Sequence, residues 1–244
     1  MERERLDKIL VKKGISDSVT KAQALIISGK IIVNNKKVEK AGTRFRDNIN
    51  IRVIKKKHDW VSRGGIKLLH ALKIFKISPK DRICADIGAS TGGFTDVLIK
   101  KEAKLVYAID VGVGQLNWSL YKNNKVKVLD KTNIRKMSLE DIDNNISLVT
   151  CDLSFISITK ALTKIVEEKK TQFLIVALIK PQFELTKEKI GKNGIVKNHE
   201  YRLEALKKVI SWFKSYDWKV SEAVKSPIKG AKGNEEYFIF CKNY

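Results

Sequence analysis

From Asp81 onward the chain alternates short apolar runs with amphipathic stretches, and no other feature limits its possible folds as much. "RICADIGAS", "LVYAIDVG", "KVKVLDKTN", "ISLVTCDLSFIS" and "FLIVALIKPQFE" read as strands. "GGFTDVLIKKEA", "QLNWSLYKNN", "ITKALTKIVEEKK" and "EYRLEALKKVISWFKSY" lie among them with helical character. Apolar strands alternating with helices predict a parallel sheet covered on both faces. "KVSEAVKSPI" and "EEYFIFCKN" close the chain as two strands joined through Gly230 and Gly233. So short a connection makes that last pair antiparallel. The expected class is α/β, a Rossmann-like sheet that is mostly parallel with an antiparallel last strand.

The N-terminal segment follows another rule. Leu6, Ile9 and Leu10 have helical spacing and stop at Gly14; Ala22, Leu25 and Ile26 repeat the pattern up to Gly29. Short strands follow, broken at Asn34-Asn35 and Asp47-Asn48, both turn signals. Residues 1–55 are therefore expected to form a small α+β domain, 56–62 a linker around Lys55–Lys57, and 63–244 the larger domain. Charge supports the division. The chain carries net charge +22, and residues 1–60 hold 16 basic against 7 acidic residues. This balance favours a polyanionic partner, nucleic acid or an anionic membrane. "MERERLDKIL" lacks the apolar core of a secretory signal, and "FLIVALI" is too short to span a bilayer, so a cytoplasmic location is expected. Cys84, Cys151 and Cys241 are widely spaced, and His58, His70 and His199 show no ligand spacing, so no metal is expected.

In open α/β sheets ligands bind outside the carboxyl ends of the strands. The stretch "CADIGASTGGFTDVLIK", Cys84 to Lys100, places a glycine-rich turn there. Its loop, Gly88, Ala89, Ser90, Thr91, Gly92, Gly93 and Phe94, brings backbone close to a ligand. The GxGxxG spacing of dinucleotide binding is not kept. Asp86, just before the glycines, would repel a pyrophosphate but suits an amine. Asp110, ending the second strand, is placed to accept from ribose hydroxyls, and Asp130, ending the third, to meet an adenine amino group. S-adenosylmethionine satisfies all three.

Four further polar residues are expected at the same edge. Asp152 ends "SLVTCD", and Lys180 ends "FLIVALIK". Glu236 opens the antiparallel last strand, so its amino end lies with the other strands' carboxyl ends. Lys67 lies on the helix preceding the first strand. Two lysines and two carboxylates should therefore meet beside the methyl donor, with Asp152 near the donor as well.

That set resembles the Lys-Asp-Lys-Glu tetrad of FtsJ-type RNA 2′-O-methyltransferases. "VSRGGIKL", "DIGASTGGFTDVL", "IDVGVGQL", "DKTNIR", "CDLSFISITK", "LIKPQFE", "GIVKN" and "SPIKGAKGNEEYF" resemble the TlyA family, which also carries the historical name hemolysin. Arg5-Leu6-Asp7, "KAQALIISGKIIVNN" and "DNINIRV" resemble an alpha-L RNA-binding domain. One departure is Val19, where that domain usually has an arginine facing RNA; Lys21 and Lys30 offer charge instead. The resemblance implies S-adenosylmethionine-dependent methylation of a ribose 2′-hydroxyl, with cytidine favoured, in the RNA of ribosomal subunits. It implies Lys67, Asp152, Lys180 and Glu236 as the catalytic set. Lys180 would take the hydroxyl proton or stabilise the growing alkoxide, and Asp152 would orient it. The family's spacing selects Glu236 over Glu235. Phe155 could face adenine, a flipped base or the core; Asn133 and Trp60 are secondary candidates. The rival readings are a membrane-active hemolysin, a non-catalytic RNA chaperone and an NAD-dependent oxidoreductase.

Overall fold

The structure is a computed structural model that describes residues 3–54, 58–168 and 172–244. The expected linker lysines, Lys55–Lys57, lie outside the described residues. The chain forms two compact units, Met1–Asp59 and Trp60–Tyr244.

The smaller unit runs β1 (Glu4–Arg5), α1 (Leu6–Lys12), α2 (Val19–Ile27), β2 (Ile31–Val33), β3 (Lys36–Val38), β4 (Arg44–Phe45) and β5 (Ile51–Val53). Leu6 and Leu10 from α1 meet Ala22 and Ile26 from α2 over Ile31 and Val33 of β2. Ser18 caps α2 by accepting from Lys21 N at 3.2 Å. Asp7 is fully buried, yet Arg5 and Gln23 donate to its carboxylate. Chiefly the Arg5 hydrogen bond holds its pKa down at about 2.

The larger unit begins with α3 (Gly64–Ile74) and alternates β6 (Ile83–Ile87), α4 (Gly93–Lys100), β7 (Leu105–Ile109), α5 (Trp118–Tyr121) and β8 (Val126–Leu129). It continues with β9 (Ile146–Cys151), α6 (Ile158–Ala161), α7 (Thr163–Glu167), β10 (Leu174–Ile179), α8 (Pro181–Glu184) and α9 (His199–Lys214). The short strands β11 (Lys219–Val220) and β12 (Val224–Lys225) precede the long β13 (Tyr237–Lys242). The sheet order is β11-β13-β10-β9-β6-β7-β8, with β12 also on β13. Strands β6 to β10 pair in parallel and β13 runs antiparallel to β10. The expected class is therefore observed.

Alternation along the strands builds both faces. Ile175, Ala177 and Ile179 point into one core with Phe213 of α9; Leu174, Val176 and Leu178 point into the other with Leu68 of α3 and Val97 of α4. Two expected helices are shorter than their patterns. "ITKALTKIVEEKK" divides into α6 and α7, and "QLNWSLYKNN" keeps only the four residues of α5. Among the described residues no helix is long and apolar enough to cross a membrane.

The chain builds β6, β7 and β8 toward one edge, then returns to place β9 on the other side of β6. The crevice between β6 and β9 is thus the reversal point where open α/β sheets bind ligands.

Candidate active site

Sheet register assembles the site. Ile87 pairs with Cys151, and Ile179 pairs with Tyr237. β6, β9 and β10 end there and the antiparallel β13 begins there, so Gly88, Asp152 and Lys180, just after their strands, and Glu236, just before β13, emerge at one edge. Asp152 N donates to Ile87 O at 3.0 Å, holding the β9 exit against the glycine loop. Pro181 at the first position of α8 turns the chain immediately after Lys180.

At that edge two ammonium–carboxylate pairs stand side by side. Lys67 Nζ donates to Glu236 Oε2 at 2.6 Å, with both residues buried. Lys180 Nζ donates to Ser154 Oγ at 2.8 Å and stands 2.6 Å from Asp152 Oδ1. The latter contact is an ion pair that covers Oδ1, while the Asp152 side chain as a whole stays 21% exposed and lines the cleft. Lys67, Asp152 and Lys180 line a cleft of about 220 Å³, and Glu236 sits behind Lys67. The structure therefore brings all four expected residues together.

A second cleft of about 330 Å³ adjoins it and shares Gly88, Ser90, Asp152 and Ser154. Ile109, Asp110, Thr132, Ile134 and Phe155 are among its other lining residues. Asp110 Oδ2 accepts from Ser90 N and Oδ1 from Gly112 N, both at 2.8 Å. These bonds fix the carboxylate, and each oxygen keeps a lone pair for a ligand hydroxyl. An apolar wall, the fixed Asp110 carboxylate and the partly exposed Asp152 carboxylate fit the adenosine and amine of S-adenosylmethionine.

The remaining expected donor contacts are redistributed. Asp86 does not reach either cleft. It is fully buried and its two oxygens accept from Thr95 Oγ1 at 2.6 Å and Thr150 Oγ1 at 3.0 Å. Burial pushes its pKa up to about 7. It ties β6 to α4 and β9, and Asp152 is the carboxylate at the cleft junction. Asp130 also lines neither cleft; its Oδ2 accepts from Gly114 N at 2.9 Å and fixes the loop after β7. Ala89, Ser90, Thr91, Gly93 and Phe94 line the tetrad cleft.

Two of the loop glycines also make room for the protein's own residues. Gly88 has φ +81°, and a Cβ there would lie 2.6 Å from Asp152 O. A Cβ on Gly92 would run into Leu116 and Leu120, so Gly92 makes room for the residues around α5. Phe155 is not a core residue: it is 88% exposed and its ring lies 5.3 Å from that of Phe183. Asn133 caps the turn over Ile134–Lys136 by accepting from Arg135 N. Trp60 packs against Gly65 of α3, with Lys100 Nζ 4.9 Å from its ring centroid.

Three functional neighbours escaped the sequence reading. Ser154 fixes Lys180; its place two residues beyond Asp152 was the available signal. Arg63 donates to Lys229 O at 2.8 Å, and both line the tetrad cleft. Asn234, buried, accepts from Val196 N and donates to Gly194 O, anchoring the chain just ahead of Glu236.

Comparison with known proteins agrees with this geometry. Residues 60–244 match the FtsJ-like methyltransferase family and residues 4–48 match the S4 domain. The chain is 39% identical over 241 residues to the 16S/23S rRNA (cytidine-2′-O)-methyltransferase TlyA of Mycobacterium tuberculosis, covering 98% of this chain and 90% of that one. It is 42% identical over 234 residues to Hemolysin A of Brachyspira hyodysenteriae, covering 96% and 97%. A solved structure from Streptococcus thermophilus, provisionally called a hemolysin, superposes with TM-score 0.74 at 36% identity, covering 99% and 89%. With a methyltransferase match over its larger unit and relatives of this closeness along nearly its whole length, the chain belongs to the TlyA family of FtsJ-like methyltransferases.

Proposed function

We propose that this protein methylates the 2′-hydroxyl of a cytidine in ribosomal RNA, using S-adenosylmethionine, and that its S4 domain helps to hold the RNA. The supporting observation is the pairing of Lys67 with Glu236 and of Lys180 with Asp152 at one cleft that adjoins the Asp110 cleft. When bound, S-adenosylmethionine supplies a methyl group already activated on a sulfonium sulfur.

The protein's own residues then have three tasks. Asp110 holds the donor's ribose, and the exposed part of the Asp152 carboxylate faces its amine. Lys180, steadied by Ser154 and Asp152, meets the acceptor hydroxyl and, as an ammonium, stabilises the negative charge that grows on its oxygen while the hydroxyl proton leaves to solvent. Lys67 adds a second positive charge whose position Glu236 fixes. Alignment of the hydroxyl with the methyl group supplies much of the remaining acceleration. Lys12, Arg44 and their neighbours on the S4 domain provide cations for phosphate contacts, which position RNA without reading its sequence.

The test is transfer of tritiated methyl groups to isolated small and large ribosomal subunits, followed by mapping of the modified residue. Label on a cytidine ribose is expected. Label on a base, or on neither subunit, would refute the reading.

A further inference from the structure

Among the described residues, seven large apolar side chains of the larger unit are exposed. Five of them, Val111, Val113, Trp118, Tyr121 and Phe155, stand on the segments that follow β7 and β9. Val111 and Phe155 line the Asp110 cleft. Trp118 and Tyr121 line neither cleft, and donor binding leaves them unexplained.

These two rings are held as a pair. Their centroids are 5.5 Å apart and their planes only 8° from parallel, while Trp118 remains 64% exposed and Tyr121 52%. Lys122 Nζ lies 4.7 Å from the Trp118 ring centroid. Helix α5, which carries both rings, is fastened to the glycine loop. Leu116 and Leu120 pack on Gly92, and Asn117 N donates to Thr91 O at 3.3 Å. Thr91 itself lines the tetrad cleft. One hydrogen bond therefore connects the base of the exposed pair to the wall of the catalytic cleft.

We propose that Trp118, Tyr121 and Lys122 form a stacking platform for an unpaired nucleotide of the RNA substrate, next to the nucleotide whose ribose is methylated. The proposal rests on the ribosomal RNA reading above. Parallel exposed rings offer flat faces of the kind on which splayed bases stack, and an adjacent ammonium meets the phosphate that accompanies each base. Charge selects RNA over a protein partner. Residues 111–129 contain Lys122, Lys125 and Lys127 and no Asp or Glu, so the segment that carries the rings is basic.

The experiment measures methylation of the ribosomal subunit that the wild-type protein modifies, at saturating S-adenosylmethionine, alongside donor binding by calorimetry. W118A/Y121A should raise the KM for the subunit about tenfold, the effect of losing roughly one stacked base. Its kcat and donor affinity should stay within about twofold of wild type, and W118F/Y121F should keep the wild-type KM. An unchanged KM in W118A/Y121A overturns the platform while leaving the methyltransferase reading intact. If W118A/Y121A also loses donor binding, K122E carries the test: a raised KM with normal donor affinity supports the platform, and a normal KM overturns it. Failure of the wild-type protein to methylate any subunit overturns both readings.

Discussion

The two ion pairs of the site use the same chemistry in different surroundings. Lys67 and Glu236 are sealed together, with only 3% of the Glu236 side chain exposed. Lys180 is equally buried, but its partner Asp152 keeps 21% exposure, and a serine hydroxyl shares the load. A sealed pair fixes charge in space; a pair with a partly exposed carboxylate is placed to exchange partners with a ligand. On the proposed function, Lys180 and Asp152 therefore face the reacting groups, and Lys67 and Glu236 frame them electrostatically.

Three substitutions sharpen or break that contrast, beginning with the largest effect. Lys180→Ala should lower the methyl-transfer rate on the order of a thousandfold while donor affinity is retained; a rate within tenfold of wild type would break the assignment. Glu236→Ala and Asp152→Ala should then separate in stability. The first leaves Lys67 buried and unpaired, which costs about 3 kcal/mol or more. Asp152→Ala leaves Lys180 its Ser154 contact and a route to solvent, so denaturant unfolding should show a visibly smaller loss. Equal losses would mean that both pairs are structural.

The smallest effect concerns Asp86. Its pKa of about 7 lies above the ordinary carboxylate value near ~4, so folding takes up a proton between them. Its contribution is most favourable below the ordinary carboxylate range and declines as pH rises to about 7. Asp86→Asn keeps a neutral side chain, so its stability relative to wild type should improve from about pH 5 to pH 8. Parallel curves for the two proteins would contradict this account of Asp86. Asp7 provides the opposite case: its hydrogen bond from the Arg5 guanidinium outweighs desolvation and its pKa falls to about 2.

Lys180, Asp152 and Glu236 were legible because each terminates or begins a strand, and strand direction alone carries them to one edge. Lys67 was legible from its helix only together with the family resemblance. Asp86 lines neither cleft, because Thr95 and Thr150 close over it, which the sequence around β6 does not show. Both threonines come from other elements, so this is tertiary information. Gly88 lines both clefts as expected of a ligand-facing loop, and Gly88 and Gly92 also yield space to Asp152 and to Leu116 and Leu120. Periodicity over "QLNWSLYKNN" overstated α5, because Leu116 and Leu120 serve as anchors on the loop and not as one face of a long helix.

Single-turnover methyl transfer by Lys67→Ala, Lys180→Ala and the double variant tests most directly whether the four residues act as one site. If they do, the double variant will be no slower than the slower single variant, within about threefold. Losses that multiply would show two independent sites and contradict the account.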